Sequence, residues 1–318
     1  MLTKRIAAAL AAVLLLFGGC SFSGRGASSP ESAGGVVFTD ALDREISVPE
    51  KPERVAALIG SFADVWLLSG GEVCATAEDA WDEFELELGD AVNLGGAHSP
   101  SLEALLSAEP ELVLASASTA ADVEMKEVLE NAGITVAYFD VDCFEDYLSM
   151  LNICTDITGR KDLYEQNGLK LREQIEKIKE ECAGAGLSEH QRTVLLLRAA
   201  SGSVKAKGSS GTVLGEMLRD LGCVNIADSD ETLLETLSVE SVIRQEPYHI
   251  FVVTMGNDTE KAMDNLSRMM EENPAWGTLE AVKEDRLHVM DRHLFNIKPN
   301  EKWAEAYEIL GGILLENK

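Results

Sequence analysis

The chain has 318 residues, 46% of them hydrophobic and 26% charged, which is globular composition and enough length for two domains of ordinary size. Lys and Arg number 27 against 55 Asp and Glu, a formal net charge of −28 at pH 7. Such a surface repels phosphate backbones and anionic headgroups, so it argues against nucleic-acid binding and against membrane attachment through the protein surface.

The first segment is a targeting signal. Lys4 and Arg5 precede an apolar run, Ile6 to Phe17, that is too short to span a bilayer, and Gly18-Gly19-Cys20 follows. Residues 1–19 are expected to be removed. Small residues before a cysteine resemble a bacterial lipobox, with Phe17 where leucine is usual, so Cys20 is expected to carry lipid and to begin the mature chain. The plainer alternative is a secretory signal that happens to contain a cysteine. Residues 20–35, rich in Ser, Gly and Ala, predict a flexible tether. Cys74, Cys143, Cys154, Cys182 and Cys223 remain, an odd number without a C-x-x-C, which suggests neither a disulfide framework nor a zinc ribbon.

A first lobe is expected over 36–158. Val36 to Pro49 reads as a hairpin, Arg54 to Leu58 as a buried strand, and Phe62 to Leu68 as a helix, with a short strand opening at Val73. Glu78 to Asn93 is acidic, carries Trp81 and Phe84, and predicts loop with helical turns. Ser101-Leu102-Glu103 then starts a short amphipathic helix: Ser as N-cap, Glu in the first turn, and a stop at Glu109-Pro110 before the strand Leu112-Val113-Leu114. Helix Asp122–Asn131, strand Ile134–Phe139 and helix Phe144–Thr158 follow.

Arg160 to Ala183 predicts one long, highly charged helix with a sparse apolar stripe at Leu163, Leu171, Ile175 and Ile178, weakened at Gly168. At ~1.5 Å per residue it spans roughly 36 Å, which suits a rigid connector over 159–184. The second lobe, 185–318, repeats the plan. Thr193–Leu197 is a strand, Arg198–Gly211 a loop and Thr212–Leu221 a helix, capped by Gly222 and followed by Val224-Asn225-Ile226-Ala227. Ser238-Val239-Glu240 to Glu246-Pro247-Tyr248-His249-Ile250 then matches the Ser101 to Val113 unit without a gap: serine, both glutamates and proline recur in register. Helices Glu260–Glu272 and Leu279–Lys283, strand Arg286–Met290 and a C-terminal helix Trp303–Glu316 complete the chain. The expected fold is α/β: two Rossmann-like lobes with central, mostly parallel sheets, joined by one long rigid α-helix, with a ligand cleft between them.

The order of these features resembles the helix-linked class of ABC-importer substrate-binding proteins, which serves ferric siderophores, haem and cobalamin. The resemblance covers nearly everything after residue 36. It rests on Asp43-Arg44-Glu45-Ile46-Ser47-Val48-Pro49 ahead of Pro52-Glu53-Arg54-Val55, on the two Ser/Glu/Glu-Pro units, and on Thr158-Gly159-Arg160 at the connector. Gly215-Glu216-Met217-Leu218 leading to Gly222-Cys223-Val224-Asn225, and Asn273-Pro274-Ala275-Trp276, add to it. The resemblance implies a monomeric lipoprotein held outside the cytoplasm, with an ABC permease dimer and its ATPase as partners. It implies that Glu103 and Glu240, one per lobe, dock on basic pockets of the two permease halves.

Enzyme signatures such as G-x-S-x-G, H-E-x-x-H and G-x-x-x-x-G-K-[ST] do not occur in the sequence, so a binder without catalysis or cofactor is expected. Open α/β sheets bind ligands at strand ends. In the first lobe that selects Ser61, Phe62, Trp81, His98 and the stretch Ser116 to Thr119; in the second, Arg198, Lys205, Lys207, Met255, Arg292, His293 and Lys298. Cations gathered in the second lobe of so acidic a chain suit an anionic iron chelate, ahead of haem or a corrinoid. Trp81 is either a stacking surface or a core residue. Lys207-Gly208-Ser209-Ser210-Gly211 is either an anion cradle or, as favoured, an ordinary strand–helix loop. The five histidines are not clustered, which disfavours a bare zinc or manganese site; His249 and His288 read as structural, and His98 and His293 as cleft residues able to reach an axial position. The alternative function is a haem or corrinoid carrier that passes cargo on without a permease.

Overall fold

A computed structural model describes residues 35–49, 51–256 and 258–316. Cys20 and the leader lie outside the described residues. The chain opens with an antiparallel hairpin, β1 (Gly35–Thr39) and β2 (Glu45–Pro49), paired from Gly35↔Pro49 to Thr39↔Glu45. Its turn closes on Asp40, whose Oδ1 accepts the Leu42 and Arg44 amides at 3.0 and 3.1 Å.

The first sheet comprises β3 (Val55–Ala57), β4 (Val73–Thr76), β5 (Val92–Asn93), β6 (Leu112–Ser116) and β7 (Thr135–Phe139), in the order β5-β4-β3-β6-β7 and parallel throughout. The second comprises β8 (Thr193–Ala200), β9 (Ser203–Lys207), β10 (Val224–Asn225), β11 (His249–Met255) and β12 (Leu287–Val289). Its parallel order is β10-β8-β11-β12, and β9 runs antiparallel along β8. Buried apolar runs such as Leu112–Ala115 and Val194–Leu197 are what a sheet covered on both faces requires.

The expected loop from Arg198 to Gly211 is a correction. β8 continues to Ala200, turns at Ser201-Gly202 and returns as β9, which takes over the edge that β10 leaves after Val194. Val204 and Ala206 pack into the second-lobe core on one face, and Lys205 and Lys207, alternating with them, fall on the other. That two-residue alternation is a strand pattern, and the charges hid it. Short helices at Glu231–Glu235 and Arg292–Phe295 also went unpredicted; each is shorter than two turns and is marked chiefly by its N-cap, Asp230 or Asp291.

The connector is continuous but not uniform. Helix Lys161–Tyr164 passes through a π turn, Glu165–Leu169, into helix Lys170–Gly184. Gly168 is why the turn widens there. A Cβ on it would lie 2.6 Å from Leu148 Cδ1, so this residue lets the connector approach helix Phe144–Thr158. Within this turn the Asn167 carbonyl accepts from Tyr147 Oη at 2.8 Å.

Both repeat units form as expected. Ser101 Oγ accepts the Ala104 amide at 3.2 Å and Ser238 Oγ the Ser241 amide at 3.3 Å. The likeness extends to backbone conformation: Glu109 and Glu246, each before proline, have φ of 46° and 45°. This left-handed region costs a non-glycine residue about 1–2 kcal/mol, and both copies carry it. One apolar cluster runs through both lobes, taking Phe62, Trp66 and Phe139 from the first, Ile175 from the connector, and Leu196, Phe251, Phe295 and Trp303 from the second. Each sheet covers its other face with a cluster of its own, around Leu105 and Tyr138 or around Ile250 and Trp276.

Candidate ligand cleft

A cavity of about 540 Å³ opens where the C-terminal ends of the first sheet meet the chain after β12. Ile59 and Ser61 follow β3, Glu78 to Phe84 follow β4, Gly96 to Ser99 follow β5, and Ser116 to Thr119 end or follow β6. Arg292, Asn296, Ile297 and Lys298 supply the opposite wall. Parallel strands fix this geometry, because they deliver all their outgoing loops to one edge.

Among the predicted site residues, Ser61, His98, Arg292 and Lys298 line this cavity, as do Ser116, Ser118 and Thr119. His293 lines an adjoining hollow of about 480 Å³. Phe62 does not face the cavity; it is buried edge-on against Phe139 at a centroid distance of 6.1 Å. Trp81 packs on the core, as its core alternative had it. Met255 is 46% exposed at the end of β11 and belongs to neither cavity.

Arg198, Lys205 and Lys207 do not line the cavity but stand together beside it. The register Arg198↔Lys205 and Leu196↔Lys207 places all three on one face of the β8–β9 ribbon. β8 lies two strands from β12, roughly 10 Å at the ordinary strand spacing. Burial pushes the Arg198 guanidinium below its ordinary pKa. Lys207 is lowered first by burial and then by the charges of Arg198 and Lys205. Arg198 Nε is buried without a partner. Among the described residues none of the three makes an ion pair.

The acidic wall was missed. Glu78, Asp79, Asp82 and Glu83 line the cavity, and Glu83 forms an ion pair with Arg292. Asp79 accepts the Gly60 amide at 3.0 Å, and burial raises its pKa. Behind the Ser116 rim, burial pushes Asp122 up to about 6 against the pull of the Ser116 amide at 2.8 Å. Burial lowers Lys298, while Asp142, Asp140 and Asp79 oppose that shift. The available signal was the density of carboxylates between β4 and β5, at a strand end.

Other expectations resolve plainly. The Ser209 amide already donates to Asp228 Oδ1 at 2.7 Å, so that amide is not free to face an anion. His249 Nδ1 and His288 Nε2 are 3.0 Å apart within the second sheet, burial lowers His249 to about 4, and neither lines the cavity or the adjoining hollow. Glu103 and Glu240 are exposed in the first turns of their helices. The five described cysteines are free. Among the described residues no group of three or more His, Cys, Asp or Glu is arranged to hold a metal, and no helix is long and apolar enough to cross a membrane.

Two α/β lobes joined by a helix, with a charged cavity at the strand ends between them, are the architecture of a substrate-binding protein. The chain belongs to the periplasmic binding protein family, whose model matches residues 55–294. It is 25% identical to the Fe(3+)-citrate-binding protein YfmC of Bacillus subtilis over 87% of this chain and 86% of that one. Its fold is similar to that of Staphylococcus aureus SirA, solved with staphyloferrin B, at a TM-score of 0.65 and 19% identity over 88% and 97% of the two chains. It is also similar to the vitamin B12 binding protein BtuF of Vibrio cholerae, at a TM-score of 0.67 and 15% identity over 84% and 98%.

Proposed function

We propose that this protein is the extracytoplasmic receptor of an ABC importer: it captures an anionic ferric chelate of the siderophore class and delivers it to a membrane permease without altering it. The observation that carries this reading is the unpaired cluster Arg198, Lys205 and Lys207 in a chain of net charge −28. Three like charges on one ribbon face repel one another, and a multivalent anion relieves that repulsion. Each charge-assisted contact contributes about 1.5–3 kcal/mol. The ferric-citrate relative supports the same class of cargo. In this reading the leader 1–19 is removed, lipid on Cys20 and the tether 20–35 hold a monomer outside the membrane, and Glu103 and Glu240 meet the permease. The lobes are 36–158 and 185–318, with 159–184 as connector.

His98 on the cavity rim favours a second reading, in which a haem or corrinoid takes its imidazole as axial ligand. Titrating the purified protein with ferric citrate, a ferric catecholate, haemin and cyanocobalamin, followed by tryptophan fluorescence, separates the two. The first reading expects tight ferric-chelate binding that Arg198→Ala and Lys207→Ala each weaken at least tenfold. Tight haemin or corrinoid binding lost in His98→Ala, with no response to ferric chelates, would overturn it.

A further inference from the structure

The arginine of the cavity wall is already occupied. Glu83 comes from the first lobe, at the end of the Asp79–Asp82 turn; Arg292 opens a short helix of the second. Their ion pair crosses the cleft, with side-chain exposures of 13% and 17%, and the same Glu83 Oε2 lies 3.9 Å from His293 Nδ1. Arg292 Nε is buried with no acceptor. The pair is not needed to join the lobes. A continuous core does that, as does Asn300 Nδ2, which donates to Ser61 O at 3.0 Å and Asp64 Oδ2 at 2.7 Å. Desolvating two charges stabilises little by itself. What the pair does is fill the anion position on Arg292 with a carboxylate of the protein.

We propose that Glu83 sets the charge preference of the cleft by holding Arg292 back from the ligand. The inference rests on the ferric-chelate reading of the same cleft. The anionic part of the chelate is then received by Arg198, Lys205 and Lys207, and reaches Arg292 only by displacing Glu83. With Arg292 neutralised, Glu78, Asp79 and Asp82 remain on the same wall, and Asp142, Asp140 and Asp79 act on Lys298, so a chelate that is negative all round is held less tightly on this side than a free Arg292 would hold it. A chelate whose far end is neutral, hydroxyl-rich or cationic is admitted. Discrimination of this kind comes from the rejected ligand as much as from the accepted one.

The test compares Glu83→Gln and Glu83→Ala with the parent protein, using ferric citrate and a neutral ferric trihydroxamate as probes. Ferric citrate should bind at least tenfold more tightly to both variants, with a steeper salt dependence, while the neutral chelate shifts less than twofold. Parallel weakening of both chelates would mean that Glu83 is only a strap between lobes, and unchanged ferric-citrate affinity would equally overturn the proposal. A readout without iron accompanies it: phenylglyoxal should modify Arg292, followed by peptide mass mapping, several-fold faster in Glu83→Gln. Equal rates would overturn the proposal. If no protein binds either chelate, the iron reading falls, and the phenylglyoxal rates still decide the role of Glu83.

Discussion

Replacing Asp64 with asparagine should stabilise the protein at alkaline pH. Asp64 sits on helix Gly60–Leu68, facing the second-lobe turn Asn300–Lys302. Burial first, and then the Glu301 carboxylate, push its pKa up to about 7, while the Asn300 amide and Lys302 pull the other way. Tyr147, from helix Phe144–Thr158, faces the same pair: after burial, Glu301 and Asp64 raise its phenol. The unfolded carboxyl releases its proton near 4. Between about 4 and 7 the folded state therefore binds more protons than the unfolded one, and this group's contribution to stability falls as the pH rises through that window. A shift of about three units, at about 1.4 kcal/mol each, bounds the loss at about 4 kcal/mol. Asparagine keeps an acceptor for Asn300 Nδ2 and presents its own NH₂ to Glu301, so it removes the charge and little else. Urea unfolding from pH 4 to 8.5 should show Asp64→Asn more stable by about 2–4 kcal/mol at pH 8, the gap closing toward pH 4. A variant less stable at pH 8, or a gap independent of pH, would refute the raised pKa of Asp64 as the cause.

Glu103→Ala with Glu240→Ala should leave chelate affinity and melting temperature nearly unchanged, since each exposed first-turn acid contributes only ~0.3–1 kcal/mol to its helix. Cellular uptake should collapse, and full uptake would remove the docking role. Cys20→Ser should appear in the medium or remain unprocessed, because more than one acyl chain is needed for stable anchoring at ~0.8 kcal/mol per buried CH₂; normal lipid labelling of that variant would exclude the anchor. Small-angle scattering with and without ligand should show little change in lobe separation, and a domain-scale change would count against a rigid connector.

Much of the fold was legible because it is written in local patterns. Helices Phe144–Thr158 and Trp303–Glu316 form at their expected bounds, and both repeat units appear, since capping serine, apolar spacing and proline act within a dozen residues. The β8–β9 hairpin was missed because lysines alternate with Val204 and Ala206 at an edge where charge is tolerated. The cleft was half legible. Strand-end logic selected Ser61, His98, Arg292 and Lys298, which do meet across one cavity. It could not select Glu83, because an ion pair across more than 200 residues leaves no mark in local spacing. For the same reason Trp81 read equally as a platform and as core. Aromatic character does not say which way a side chain turns.

The same long-range contacts bear on how the cleft selects its cargo. Helix Trp303–Glu316 lies so close to the connector that a Cβ on Gly311 would meet Ile178 Cγ2 at 2.7 Å. Swinging the lobes apart would break that contact and divide an apolar cluster now shared between them, at about 25 cal/mol for each Å² exposed. Large closure is therefore a poor way for this architecture to recognise a ligand. On the proposed reading, selection would fall to charges already in place on walls of nearly fixed spacing: the unpaired ribbon cations on one side, the carboxylates after β4 on the other. What moves most cheaply between them is a side chain. A carboxylate that can rotate off Arg292 converts a wall that rejects anions into one that accepts them, without moving either lobe.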